Sequence, residues 1–385
     1  MVRIIPINEL SPPTFKAWTD RLVGYLKSLP GTTLHLVFDD YHSDERQIYL
    51  SKGRPDKGRE RRISDLSQKL PNLSDWNDFL TNDVNKLQVT QLLADYLLSG
   101  DSHINKDVYV TKGSKCMFLL ANESGPGTEI SDLHSFHREA DPRLALDAVY
   151  ASSKHAGTCV VADDTDVYIL LLFVARQCGG LLYFRQGTST SKVGITYHNI
   201  KELAEHLGPE LCECLPAFHV VTGSDYTQPF FGRSKFQIFR KVQKNLHMLT
   251  LLSTLGSSEP NLDEVVDFVL HVVYNRPKKE KTPGESRYAM LFHHKAKKRV
   301  LTPLQRLVPD KSSLKCAILR MNHVTHGMVN CLNPTYSQLD PLLHGWRVEM
   351  AHLCLFGMSV QLFQKKLNSI EWRKTVQLSH QNHPM

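Results

Sequence analysis

The feature that most constrains the fold is CVVADDTDVYILLL, residues 159–172, in which three aspartates separate two apolar runs. The first run has the length of a buried strand, and the second, from Val167 to Arg176, predicts a buried helix. Carboxylates repel one another and resist burial, so they are tolerated between buried elements when a cation or water compensates their charge. We therefore predict a strand that ends in an acidic turn and is followed at once by a helix.

Apolar patterns on both sides of this stretch predict an alternation of strands and helices. Helices are predicted within residues 77–98, from Pro142 onward with Asp141 as the N-cap residue, and over Ile200–Leu207. The predicted strands are Leu34–Phe38, a hairpin within Val108–Leu120, Thr158–Ala162, Leu181–Arg185 and Pro216–Val221. Strands that alternate with helices favour an α/β fold built on a parallel sheet.

The composition is typical of a globular protein. Of the 385 residues, 41% are hydrophobic and 22% are charged, and the net charge of +7 permits binding to polyanions without requiring it. The longest apolar run, Val167–Ala175, is about half as long as a membrane span, and residues 1–15 lack the features of a signal peptide. We therefore expect an intracellular protein that does not enter membranes.

The 8 cysteines are sparse, and several lie inside apolar runs, which is typical of reduced, buried thiols. Cys212-x-Cys214 followed by His219 is faintly similar to half of a zinc site. Because no second pair of ligands lies at a suitable spacing, the sequence favours plain thiols over zinc.

Acidic residues recur at the ends of the predicted elements, on segments that are far apart in sequence. Ligand sites in parallel α/β sheets form at the carboxyl ends of strands, so these side chains are candidates for one metal site. Each also has an ordinary explanation as a helix cap, a turn residue or a solvated loop residue, and only their joint placement indicates function. The candidates are Asp39, Glu139, Asp141, Asp164, Asp166 and Asp225.

Clustered carboxylates are stable when a cation neutralises them, and oxygen ligands suit Mg²⁺ or Mn²⁺. Two such ions about 4 Å apart activate a water molecule and stabilise the leaving oxygen in phosphodiester hydrolysis. Such a site needs no side-chain nucleophile. The acidic set therefore predicts a two-metal hydrolytic centre.

Basic residues are clustered in short segments. RPDKGRERR, residues 54–62, contains Arg59, Arg61 and Arg62, and guanidinium groups match the geometry of phosphate oxygens. Together with Lys235 they are the candidate contacts to a nucleic-acid backbone. KAKKR, residues 295–299, fits a nuclear localisation signal or a nucleic-acid patch. Simple solvation of the charges is the alternative for each segment.

Taken in order, these segments resemble the PIN-like superfamily, and within it the structure-specific nucleases of the flap endonuclease and XPG type. Val37-Phe38-Asp39 is similar to a strand end of that family, and the basic segment at 52–62 stands where its mobile arch begins. The other matching segments are Glu139-Ala140-Asp141, Ala162-Asp163-Asp164-Thr165-Asp166 and Gly223-Ser224-Asp225-Tyr226. The chain is similar to a divergent, uncharacterised animal group of such proteins.

The resemblance implies a PIN-like domain over residues 1–245, with a central parallel sheet flanked by helices and a basic arch at about 42–75. It places Asp164 and Asp166 at catalytic metal-ligand positions and assigns Asp163 a supporting or structural role. It also implies two Mg²⁺ or Mn²⁺ ions and a nuclear nuclease, with DNA favoured over RNA as the substrate and the choice between them left open. The regions expected after the domain are a helical extension (246–274), a basic linker (275–300) and a helical C-terminal region (301–385).

Two departures from the family pattern leave the activity open. The family carries a further metal-binding Asp on its first strand, whereas the first Asp here, Asp20, lies in a predicted helix. Only Gly232 remains of the Gly-x-Gly turn with which the family holds duplex DNA. The alternative is therefore a catalytically inactive nucleic-acid-binding or scaffold protein on the same fold. A further alternative is a phosphatase of the haloacid dehalogenase type, whose nucleophile motif Asp164-Thr165-Asp166-Val167 also fits.

Overall fold

The computed structural model describes residues 7–40, 58–188, 193–298, 304–349 and 352–355. The helices are α1 (Phe15–Ser28), α2 (Leu73–Phe79), α3 (Asp83–Leu98), α4 (Ala140–Lys154), α5 (Thr165–Val174), α6 (Ile200–Leu207), α7 (Pro209–Thr222), α8 (Lys235–Val242), α9 (Leu246–Ser253), α10 (Leu262–Phe268), α11 (Pro283–Lys298) and α12 (Lys311–Val329). The strands are β1 (Thr33–Leu36), β2 (Asp107–Lys112), β3 (Lys115–Leu119), β4 (Thr128–Glu129), β5 (Gly157–Val161), β6 (Leu181–Gln186), β7 (Thr196–Asn199), β8 (Trp346–Glu349) and β9 (His352–Leu355).

The α/β class is confirmed, but the expected single central sheet is wrong for the part of the chain that is described. β1 runs parallel to β2, and the sheet continues antiparallel through β3 to β4. β5 runs parallel to β6, which pairs antiparallel with β7, and β8 and β9 form a separate hairpin. No described strand joins β1 to β5. A tight turn at Gly113, rather than a helical crossover, follows β2, so the first sheet turns back on itself.

Most predicted elements occur in the structure. One predicted strand is part of a helix, and one helix begins earlier than predicted. The segment Pro216–Val221, predicted as a strand, belongs to α7. It is buried on all sides, so its apolar run lacks the periodicity that separates a helix from a strand. The N-cap residue of α4 is Glu139, so Asp141 lies in the first turn of the helix instead of at the cap.

Two apolar cores hold the described elements together. The first contains residues of α1 to α3 and of the β1–β4 sheet, with Leu22 and Val110 completely buried. The second surrounds β5 and β6 and includes Leu171 of α5 and Ile318 of α12. This second core continues across residue 245, where we predicted the end of the nuclease-type domain. The burial of these side chains supplies most of the stabilisation of such a fold.

The region predicted as a basic linker contains α11, and the C-terminal region contains α12 and the β8–β9 hairpin. α12 is capped by Asp310, whose side chain accepts a hydrogen bond from the Ser313 amide. Arg299 of the KAKKR segment lies outside the described residues, as do residues 42–57 of the predicted arch. Within the described ranges, no helix has the length and apolar character that crossing a membrane requires.

α4 connects the two sheets and thereby positions the site. Its Ala145 and Ala148 belong to the second core, next to β5. On its other side, His35 of β1 meets Asp147, with 2.7 Å between Nδ1 and Oδ1. The amino end of α4 therefore lies where elements of both sheets come together.

Candidate metal centre

Three of the six candidate ligands form a compact acidic cluster. Asp141, Asp164 and Asp166 each offer a carboxylate oxygen, and these oxygens lie within 4.8 Å of one another. Among the residues that are described, no other group of at least three His, Cys, Asp or Glu side chains converges in this way. Oxygen ligands at this spacing suit a hard divalent cation such as Mg²⁺ or Mn²⁺.

The acidic turn after β5 places two members of this cluster. Asp163 accepts a hydrogen bond from the Gly187 amide (2.8 Å), which ties the turn to the segment after β6. Asp164 is the N-cap residue of α5 and accepts from the Asp166 amide (2.9 Å). The structural part predicted for Asp163 is confirmed, and Asp164 serves both as a helix cap and as a member of the cluster.

Two further candidates lie at the start of α4. Asp39, just after β1, accepts a hydrogen bond from the Ala140 amide (2.7 Å) and so caps α4 from another part of the chain. Glu139 accepts a hydrogen bond from the Tyr226 hydroxyl. Both carboxylates add to the negative potential at Asp141.

The proximity of these carboxylates changes their proton affinity. Burial raises the pKa of Asp141 to about 8, and the charges of Asp164 and Glu139 contribute further. Burial also raises the pKa of Glu139 to about 7, although the Tyr226 hydrogen bond opposes the increase. The Tyr226 hydrogen bond has no counterpart among the causes of the Asp141 shift, so the increase at Glu139 is the smaller of the two. Near neutral pH the cluster is therefore stabilised by bound protons or by a cation.

Asp225 does not belong to the cluster. Its side chain is exposed, and it is not among the charges that most raise the pKa of Asp141 or Glu139. It lies in a turn closed by a hydrogen bond from the Ser224 amide to the Thr227 carbonyl (3.1 Å). The neighbouring Tyr226 contacts the acidic group through its hydrogen bond to Glu139.

Lys235 lies in the interior instead of on the surface that we expected to meet phosphates. It is 8% exposed, and its ammonium group meets His219 Nδ1 (2.8 Å) and the Gly223 carbonyl (2.9 Å). Burial lowers the pKa of Lys235 to about 8. A sequence signal exists: Lys235, Ile238 and Val242 follow helical spacing, so α8 buries all three on one face.

His219 is the functional candidate that the sequence did not assign to this site. Its Nε2 lies 2.7 Å from Asp166 Oδ1, and its Nδ1 faces Lys235, so both ring nitrogens have partners. Cys212 and Cys214 are two residues apart on α7, and side chains at that spacing on a helix do not face each other. The arrangement therefore leaves no zinc site at these three residues.

The three candidate arginines lie on an extended segment beside α3, and their side chains are exposed. Side-chain amides of α3 and its N-cap residue hold the backbone of this segment in place. The partners are Asn82 with Gly58, Asn85 with Arg59 and Arg61, and Gln88 with Arg61 and Ile63. Arg61 also approaches Asp75 at 3.5 Å. Arg59, Arg61 and Arg62 are thus presented to solvent on a fixed backbone.

Comparison of the chain with protein-family models, with curated proteins and with solved structures gives no match. The resemblance to PIN-like nucleases therefore depends on the motifs and their order.

Proposed function

We propose that this protein is a divalent-metal-dependent nuclease that hydrolyses phosphodiesters of nucleic acids. The observation that carries the proposal is the convergence of Asp141, Asp164 and Asp166, which come from two helices that begin near one another. The residues would hold Mg²⁺ or Mn²⁺, and the metal would supply an activated water and an electrophile for the phosphate oxygens.

The chain supports this chemistry in two further ways. Burial raises the pKa of Asp141, the negative charges of Asp164 and Glu139 raise it further, and a divalent cation would offset that charge. The exposed guanidinium groups of Arg59, Arg61 and Arg62 can contact backbone phosphates without any rearrangement of the buried structure. Binding through them would weaken as the salt concentration rises.

A non-catalytic nucleic-acid-binding or scaffold protein is the second candidate, and a specific observation favours it. A second metal ion has no equally compact set of ligands among the described residues, because only Asp141, Asp164 and Asp166 converge in this way. Loss of one ion from a two-metal centre would preserve the fold while it reduces hydrolysis.

A cleavage assay separates the two candidates. Branched and single-stranded DNA and RNA would be incubated with the protein and Mg²⁺ or Mn²⁺. We expect cleavage by the wild type and by Asp163→Asn, and none by the double variant Asp164→Asn/Asp166→Asn. Asparagine keeps one acceptor oxygen and replaces the charged carboxylate with a neutral amide, so these variants test the cation site and can spare the helix cap. Equal cleavage by the double variant, or none by the wild type, would contradict the proposed activity.

A further inference from the structure

A buried chain of three side chains leads from α8 through α7 to the acidic cluster. Lys235 Nζ lies 2.8 Å from His219 Nδ1, and His219 Nε2 lies 2.7 Å from Asp166 Oδ1. The three residues are 8%, 4% and 9% exposed, respectively. Because water has little access to these groups, each depends on its neighbour for hydrogen bonding.

The chemistry of the groups fixes the direction of both hydrogen bonds. An ammonium group has donors and no acceptor, so Lys235 donates and His219 Nδ1 accepts. A neutral imidazole that accepts at Nδ1 carries its hydrogen on Nε2, and His219 therefore donates to Asp166 Oδ1. Lys235 thus selects the imidazole tautomer that Asp166 needs.

The ammonium group is itself held by the carboxyl end of α7. It donates to the Gly223 carbonyl at 2.9 Å and approaches the His219 carbonyl at 3.4 Å. Carbonyls at the end of a helix lack partners within the helix and carry partial negative charge, which favours a cation there. Lys235 is therefore held by backbone carbonyls of α7 and its C-cap residue as well as by the His219 ring.

We propose that His219 and Lys235 are positioning residues, which hold the Asp166 carboxylate in the orientation that ligates the divalent cation. This inference rests on the proposed function, since it assigns the two residues to the same site. A donor on Oδ1 restricts rotation of the carboxylate. Groups that orient a metal ligand in this way typically change metal affinity about 10- to 100-fold when they are removed.

The experiment measures Mn²⁺ affinity of the full chain by titration, in parallel with the free energy of unfolding. His219→Leu removes the donor and keeps an apolar side chain, whereas His219→Gln offers an amide donor to Asp166. We expect about 10- to 100-fold weaker Mn²⁺ binding for His219→Leu and recovery of most of that loss in His219→Gln. A purely structural role would instead make affinity follow stability in both variants.

A spectroscopic measurement tests the tautomer without metal. The ¹⁵N chemical shifts of His219 should report the Nε2–H tautomer in the wild type, and Lys235→Met should reduce its population. A ring that carries its hydrogen on Nδ1 in the wild type would overturn the inference. So would unchanged Mn²⁺ affinity in His219→Leu, if the wild type binds Mn²⁺. Absence of Mn²⁺ binding in the wild type would overturn the proposed function itself.

Discussion

Asp163 and Asp164 are adjacent in sequence, yet their carboxylates have different tasks. The first is tied to the Gly187 amide, and the second caps α5 and faces the acidic cluster. Lys235 shows the same effect. Its side chain is buried, whereas on an exposed helix the ammonium group could contact phosphates. At the scale of single residues, the environment rather than the residue type decides the role.

A pH-dependent stability difference follows from His323, which lies in α12 and is 2% exposed. Its Nε2 meets the Leu339 carbonyl (2.9 Å), its buried Nδ1 has no hydrogen-bond partner among the described residues, and burial lowers its pKa to about 4. Between that pKa and the unfolded value of about 6.5, the unfolded chain binds a proton that the native state does not, so stability falls as pH decreases.

Urea unfolding at several pH values between 7 and 4 checks this prediction. His323→Gln retains a donor for the Leu339 carbonyl and removes the titrating group. We expect it to lose less stability on acidification than the wild type does, by up to ~3 kcal/mol. The matched control His247→Gln changes an exposed histidine and should follow the wild type. Identical pH slopes for the wild type and His323→Gln would contradict the assignment.

At the scale of elements, α3 and the segment 58–63 act as one unit. The amides of Asn82, Asn85 and Gln88 recur every three residues along α3 and its cap, and they bond the backbone of that segment. The resemblance implied that a mobile basic arch begins in this part of the chain. Residues 58–63 are instead held in place by these hydrogen bonds, because the side-chain amides satisfy backbone groups that no sheet or helix satisfies.

Asn85→Ala should release this segment. Asn85 is fully buried, accepts from the Arg61 amide (2.8 Å) and donates to the carbonyls of Arg59 and Phe79. Loss of these bonds leaves buried backbone groups unpaired, so we expect about 1–3 kcal/mol lower stability. Hydrogen exchange at the Arg61 amide should accelerate.

Asn72→Ala is the matched control, since that side chain is exposed and makes no capping hydrogen bond to α2. It should change neither quantity. Unaltered exchange at Arg61 in Asn85→Ala would show that the segment is held by other contacts.

Element type was predictable where periodicity and capping residues agreed. α5 begins at Thr165 and the parallel pair β5–β6 begins at Gly157 and Leu181, close to the predicted bounds. α7 was not predictable, because a helix that is buried all round has the same apolar run as a buried strand. The misassigned element affects the site, because His219 contacts Asp166 from a helix and not from a strand.

At the scale of the whole molecule, the cluster lies at the meeting point of two sheets, and α4 serves both. The recurrence of acidic residues at the ends of strands and the starts of helices selected six candidates, of which Asp141, Asp164 and Asp166 converge. It could not exclude Asp225 or assign Lys235 to the interior, because those outcomes depend on packing between segments that are distant in sequence. The same packing brings α12 into the second core.

Leu314→Ala tests whether α12 stabilises the core that carries the acidic turn. Leu314 is fully buried in the second core, so its truncation should cost about 2–5 kcal/mol of unfolding free energy. Leu304→Ala, at a side chain that is 75% exposed, should change stability by less than about 0.5 kcal/mol. Urea denaturation followed by circular dichroism measures both, and equal stabilities would place α12 outside the cooperative core.

Direct titration with Mn²⁺ at neutral pH tests the central claim, that Asp141, Asp164 and Asp166 form a cation site. We predict that the wild type and Asp163→Asn bind Mn²⁺ with the same affinity and are stabilised against unfolding as Mn²⁺ increases. Asp164→Asn retains the helix cap and should bind at least about 10-fold more weakly, because it lacks one charged ligand. No binding by the wild type, or equal binding by Asp164→Asn, would contradict the account.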